Sequence, residues 1–282
     1  MSERGNIETY HDKVRETVAS RLSFAQTSDY CSRLANFFEI NPSKSDPEFL
    51  GDLYRKSDQL AKAGKAYILA GKRALESLAF HRAASLFAQA IEMLNPTGRE
   101  ECELRVLYGN ALANASRSAE SASQFLRAAE LASESERPDW LQQAALRYLV
   151  SGHVDAGLKA LTQALEAVQL TWPRTTLRAL IGLIAGEARL QIRGLRSTTT
   201  LVVDEKPIPK QLVAPEKLED TQVSLGPFDQ LLTPLEQRRI KICWSAAAGL
   251  SVVDPIRGSY FMTEHLCRKS GCRLAFWKSM SK

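Results

Sequence analysis

One pattern of small and large side chains recurs three times and leaves few folds open to the chain. Ala83, Phe87 and Ala90 are followed by Ser121, Phe125 and Ala128, then by Gly157, Leu161 and Ala164, in steps of 38 and 36 residues (83 to 121 to 157). Ahead of each triplet stands a segment of similar make-up: Tyr67, Ala70, Gly71 and Ala74; Tyr108, Gly109 and Leu112; Leu141, Ala145 and Tyr148. Small residues let two antiparallel helices approach closely, and the ring or leucine fills the groove between neighbouring pairs. From Asp46 to Leu170 alanine-rich stretches dominate and strand-type runs of Val, Ile and Thr are almost absent, so the whole region reads as helix. Turn formers fall between the halves of the pairs: Ser57-Asp58 before Gln59, Ser116 to Ser118, and Ser151-Gly152-His153.

This arrangement resembles a tetratricopeptide repeat array, with Asn95-Pro96 and Arg137-Pro138 standing near that family's terminal proline. The steps exceed the family's ~34 residues, and no tryptophan holds the first signature position. A non-repetitive bundle of alanine-rich helices produces a similar alternation, and packing alone separates the two. The expectation is an all-α chain, with tetratricopeptide-like antiparallel helix pairs stacked as a solenoid over residues 46–170, then a linker and a further helical pair.

Trp172-Pro173 ends the array, and residues 171–196 carry one more helix, from Thr176 to Arg196. Its Arg178, Arg189, Arg193 and Arg196 fall within about 60° of one another at 100° per residue, opposed in that helix only by Glu187. Such a stripe suits an acidic partner, a phosphate backbone or an anionic lipid, and equally a solvated helix face. Residues 197–230 contain Pro207, Pro209, Pro215 and Pro227 without a sustained period and read as a linker. Within 231–266, Thr233-Pro234-Leu235-Glu236 has the form of a capping box with proline at the first helical position, and Asp254-Pro255 repeats the signal. These predict helices to about Val253 and about Cys267, leaving 267–282 as a basic tail.

Composition narrows the function classes. The 282 residues carry a net charge of +5, and Arg268, Lys269, Arg273, Lys278 and Lys282 account for all of it, so the remainder is neutral and nucleic acid is not the expected partner. No apolar stretch approaches the ~20 residues of a membrane span; the longest runs from Ala179 to Ala185. Met1 to Asn6 is polar, without the core of a secretory signal. Cys31, Cys102, Cys243, Cys267 and Cys272, odd in number and irregularly spaced, suggest a reducing compartment, the cytoplasm.

Catalytic signatures fail on inspection. Gly64-Lys65 and Gly71-Lys72 lack the following Ser or Thr and the preceding glycine of a phosphate loop, and both sit in expected helix. Neither a kinase catalytic loop nor a magnesium-binding Asp-Phe-Gly occurs. His265, Cys267 and Cys272 cluster without a fourth ligand at zinc spacing. No catalytic residue, metal or cofactor is therefore expected. Tyr67, Arg105, Tyr108 and Tyr148, on first helices of the pairs, are the candidate groove residues for a protein or peptide ligand.

Four stretches taken together, Tyr10 to Val18, Ala74 to Ala84, Ser151 to Leu158 and Cys243 to Gly258, resemble a region of large bacterial serine/threonine protein kinases. It is the region downstream of their AAA-type ATPase module. The Cys243-Trp244-Ser245-Ala246 segment with Asp254-Pro255-Ile256-Arg257-Gly258 is the most specific part, and the likeness spans roughly residues 8 to 265. The resemblance implies that residues 1–45, with His11, Asp12, Arg15 and Glu16, form the helical tail of such an ATPase module. It also implies that kinase and ATPase cores are missing here and that the likeness breaks off after Leu266, as in a truncated or frame-altered piece. The expected function is a non-catalytic interaction module of such a signalling protein. The alternatives are a regulatory subunit acting on a kinase or ATPase in trans and a basic-face binder of nucleic acid or membrane.

Overall fold

A computed structural model describes residues 12–41, 46–192 and 233–280, and every regular element among them is a helix. These are α1 (Asp12–Arg21), α2 (Phe24–Ile40), α3 (Pro47–Lys56), α4 (Leu60–Glu76), α5 (Phe80–Leu94) and α6 (Gly98–Asn114), followed by α7 (Ser118–Leu131), α8 (Arg137–Val150), α9 (Val154–Ala167), α10 (Thr176–Ile192), α11 (Pro234–Leu250) and α12 (Pro255–Met280). The chain divides into two compact units, one ending at Pro96 and one beginning at Thr97, inside the stretch expected as one array.

The repeat is visible in its turns. Four hairpins close through the same three-residue bend, whose middle residue is left-handed: Asp58 (φ 59°), Leu78 (φ 60°), Ser116 (φ 61°) and Gly152 (φ 81°). In each, the next amide reaches back five residues: Gln59 to Tyr54, Ala79 to Ala74, Arg117 to Leu112 and His153 to Tyr148, at 2.8–2.9 Å. A three-residue bend between helices packed along their lengths makes each pair antiparallel. Only Gly152 occupies the left-handed site without a steric cost, so packing holds the other three bends in place.

Packing repeats as well. A methyl group on Gly51 would lie 2.7 Å from the Tyr67 ring, one on Gly71 2.7 Å from Phe87, and one on Gly109 3.2 Å from Phe125. In every case the glycine of the first helix admits a ring sixteen residues on (51 to 67, 71 to 87, 109 to 125). In α8 and α9 the corresponding positions hold Ala145 and Leu161, a larger floor matched by a smaller plug, both within one buried cluster. Ser121 Oγ fixes the middle pair further by donating to the Gly109 carbonyl at 2.7 Å.

Four expectations need correction. The helical pair after the linker is not a separate element, because Ile242, Cys243, Ala246, Ala247 and Leu250 of α11 and Phe261 of α12 share one core with Leu141, Leu149, Leu161 and Leu165. Gln142 donates to Ser245 Oγ at 2.6 Å, and Arg239 Nε to the Val168 carbonyl at 2.8 Å, so α11 lies against α8 as the next layer of the stack. Secondly, α12 does not stop near Cys267 but runs to Met280, so most of the basic tail continues this helix. Thirdly, the capping box is half formed. Thr233 accepts the Glu236 amide at 3.3 Å, but Arg239 and Arg268 draw the Glu236 carboxylate away from the cap. The complete box is at Ser23 and Gln26. Pro138 opens α8 and does not close α7, which ends at Leu131.

Helix α10 folds back onto α12 and not onto the array's α9. Gly182 lies under the Tyr260 ring and Gly186 under the Thr263 methyl, and the Gly186 carbonyl accepts from Cys267 Sγ at 3.5 Å. Arg257 clamps the approach to α10 from α12, donating to the Pro173 and Arg174 carbonyls at 3.0 and 3.2 Å while pairing with the cap residue Asp254.

Candidate functional site

Helices α7 and α9 both pack on α8, and between them an open cleft of about 800 Å³ follows the surface of the second unit. Its existence is a consequence of residue size. On α9, Ala156, Ala160, Gln163 and Ala167 recur at the spacing of one helical face, and three of the four are alanines, so this face stands low. The opposite wall is Leu126 and Ala129 of α7, and Leu141 and Tyr148 of α8 contribute apolar surface between the walls.

One end is braced by Arg137, whose Nε donates to the Ala129 carbonyl at 3.3 Å. Towards the other, the Tyr148 ring lies 6.0 Å from the His153 ring, and His153 Nδ1 meets Ser151 Oγ at 3.1 Å. The rim is charged. Glu130 is held by Arg127 at 2.9 Å, whereas Lys159 and Glu166 make no ion pair among the described residues. An apolar floor with charged groups at its margin is the ordinary make-up of a polypeptide-binding surface.

Of the residues expected to line a groove, Tyr148 does so. Tyr67 does not: it is fully buried in the first unit, where its hydroxyl donates to Asp52 at 2.7 Å and its ring fills the space above Gly51. Burial and that bond push its pKa up to about 12. Arg105 is turned towards α7, donating to Gln124 at 2.8 Å and to the buried Glu101 at 3.3 Å, which also accepts from Arg127 at 3.2 Å. Tyr108 is half-buried on α6 and lies away from the cleft. The sequence reading missed this wall; the spacing of Ala156, Ala160 and Ala167 on α9 is the signal that could have found it, and nothing in composition marks Leu126, Lys159 or Glu166.

The basic stripe is only partly within view. Arg178 is exposed on α10, and Arg189 lies 4.0 Å from Glu264 of α12, so a second acid opposes the stripe besides Glu187. Arg193 and Arg196 lie outside the described residues.

A smaller polar pocket of about 310 Å³ opens between residues 169–171, α10, α11 and α12. Glu264 accepts from Arg268 at 3.4 Å, and Arg268 also reaches Glu236 at 3.3 Å, so its walls neutralise one another. Cys243 on this wall is held as the thiol, its pKa pushed up to about 12 chiefly by burial, so it is no nucleophile at neutral pH. His265 Nδ1 donates to the Ile240 carbonyl at 3.0 Å, and Cys267 turns the other way to Gly186, so the expected His-Cys cluster is split between two neighbours.

Burial pulls the His265 pKa below its usual 6.5, against the hydrogen bond to Ile240 and with help from Lys269. The unfolded chain therefore takes up a proton at a higher pH than the folded one. The second unit should lose stability as pH falls below ~6.5, at no more than about 1.4 kcal/mol per pH unit from this residue. Urea midpoints between pH 7.5 and 5 check this, with His265→Asn expected to flatten the slope.

No helix among the described residues is long and apolar enough to cross a membrane. In comparisons with known proteins, the chain matches no protein-family model and no curated sequence.

Proposed function

We propose that the chain is a non-catalytic interaction module that holds a peptide segment of a protein partner in the α7–α9 cleft. The observation that carries this reading is the cleft itself: an open cleft of about 800 Å³ with an apolar floor, set among helix pairs and edged by Lys159 and Glu166. Cys31, Cys102, Cys243 and Cys267 are free thiols and buried, which favours a reducing compartment such as the cytoplasm.

We infer that the chain is a module of a bacterial signalling protein with a serine/threonine kinase and an AAA-type ATPase, the kind of protein whose C-terminal region the four sequence stretches resemble. The most specific of those stretches has interior work here. Cys243, Ser245 and Ala246 are buried against the array, and Asp254 with Arg257 fastens α12 to residues 173–174.

Selection of random peptides on the full chain tests the proposal, followed by affinity measurement with synthetic peptides. Ala160→Trp, which fills the cleft floor, and Tyr148→Ala are each expected to weaken selected peptides about 30-fold or more. Selected peptides that bind both variants as tightly as the parent would exclude the cleft as the site.

A further inference from the structure

Helix α10 is apolar on the side that meets α12 and apolar again on the side that does not. Ala179, Gly186 and Leu190 face the core and are buried. Leu177, Ile181, Ile184 and Ala188 lie on the opposite face, at about 100° per residue, flanked by Leu180 and Ile192. The large ones stand well out of the protein: Leu177 is 65% exposed, Ile181 59%, Ile184 62% and Ile192 86%. A helix that is hydrophobic all round belongs in an interior. In a stacked helical protein the last layer needs a polar outer face, and α10 lacks one.

We propose that this face pairs with the α10 face of a second copy of the chain, the two helices running antiparallel. Spacing comes first. Leu177, Ile181, Ile184 and Ala188 are separated by four, three and four residues, the seam spacing of paired helices. Turned antiparallel about the midpoint of residues 182 and 183, the seam is self-complementary: Leu177 meets the partner's Ala188, and Ile181 meets the partner's Ile184. Large then faces small at both ends, with isoleucines at the centre. A parallel pair would set each residue against its own copy and leave a gap at Ala188.

Area comes second. The exposed leucines and isoleucines amount to an apolar patch on the order of 500 Å², as large as a soluble monomer usually shows. Two such faces, if wholly covered, supply about 1,000 Å², the lower bound for a specific interface. The twofold arrangement is isologous and closes on itself, so it gives a dimer and no filament.

Charge at the edge separates this occupant from an anionic lipid surface. In the antiparallel pair, Arg178 and the partner's Arg189 come to the same edge at nearly the same height, a repulsion that Glu264, 4.0 Å from Arg189 within each copy, offsets only in part. Added salt screens that repulsion and leaves self-association unchanged or tighter, whereas binding to an anionic surface through the same arginines weakens with salt.

Sedimentation velocity on the full chain up to ~100 µM is the test. Ile181→Lys alone and Ile184→Asp alone should each weaken the dimer about 30-fold or more, with unchanged circular dichroism. An equimolar mixture of the two variants should recover a heterodimer within about tenfold of the parent affinity, because the introduced ammonium of one copy faces the introduced carboxylate of the other only in the antiparallel register. The association should not weaken between ~0.1 and ~0.5 M salt. A monomer throughout overturns the proposal, and so does a dimer indifferent to either substitution. Salt-sensitive binding of the monomer to mixed phosphatidylcholine–phosphatidylglycerol vesicles, lost in the same variants, would assign the face to lipid instead.

Discussion

Replacing Phe125 with alanine is expected to destabilise the second unit by about 3–5 kcal/mol. The ring is 1% exposed, stands over Gly109 where even a methyl group would crowd it, and stacks on Trp140 with centroids 6.2 Å apart. Its removal leaves a void that glycine on one side cannot fill, and α6 has no side chain to swing inward. Phe125→Leu should cost less, because leucine keeps much of the buried apolar volume, though Gly109 offers it a lower floor than Ala145 offers Leu161. One unfolding midpoint is ill-defined for a chain with two compact units, so hydrogen exchange of α6 and α7 amides is the measurement of choice. A loss below ~1 kcal/mol for the alanine variant would mean that the helix pairs close up readily and that the glycine–ring match is not what spaces them.

Ala246→Glu should be as damaging, at about 3–5 kcal/mol, although alanine to glutamate is a favourable exchange in an exposed helix. Ala246 is fully buried in an apolar cluster formed by α8, α9, α11 and α12 side chains, where a carboxylate would be desolvated. The layer formed by α11 and α12 should detach, taking α10 with it, while α6 and α7 keep their protection, because each layer is held mainly by its neighbour. Ala248→Glu, two residues on and exposed, is the control and should lie within about 0.5 kcal/mol of the parent. Equal loss of protection across α6 to α12 would show that the unit unfolds as one body.

Much of this was legible without coordinates. The recurrence at 83, 121 and 157 identified α5, α7 and α9, and the turn formers marked the bends at 57–59, 116–118 and 151–153 within a residue. Thr233 and Asp254 each began a helix where cap chemistry said they would. Side-chain direction was not legible in the same way. Tyr67, Arg105 and Tyr148 occupy comparable places on first helices, yet one fills a core, one ties α6 to α7 and one lines the cleft. Tyr67 stands sixteen residues after Gly51, in the place that Phe87 and Phe125 hold in later pairs, so α4 is the second helix of one pair as well as the first of the next.

Local sequence determined the helices, their bends and the close approach within each pair, because periodicity, caps and small–large matching act over one or two turns. The tertiary structure alone decided that α11 joins the core of α8 and α9, that α10 laps back onto α12, and which face of α10 is left uncovered. Those outcomes depend on pairing between segments about 70 to 100 residues apart, such as Val168 with Arg239 and Gln142 with Ser245, where no spacing rule connects the partners. The arginines of α10 were conspicuous in the sequence; its second apolar face acquired meaning only once the first had been buried.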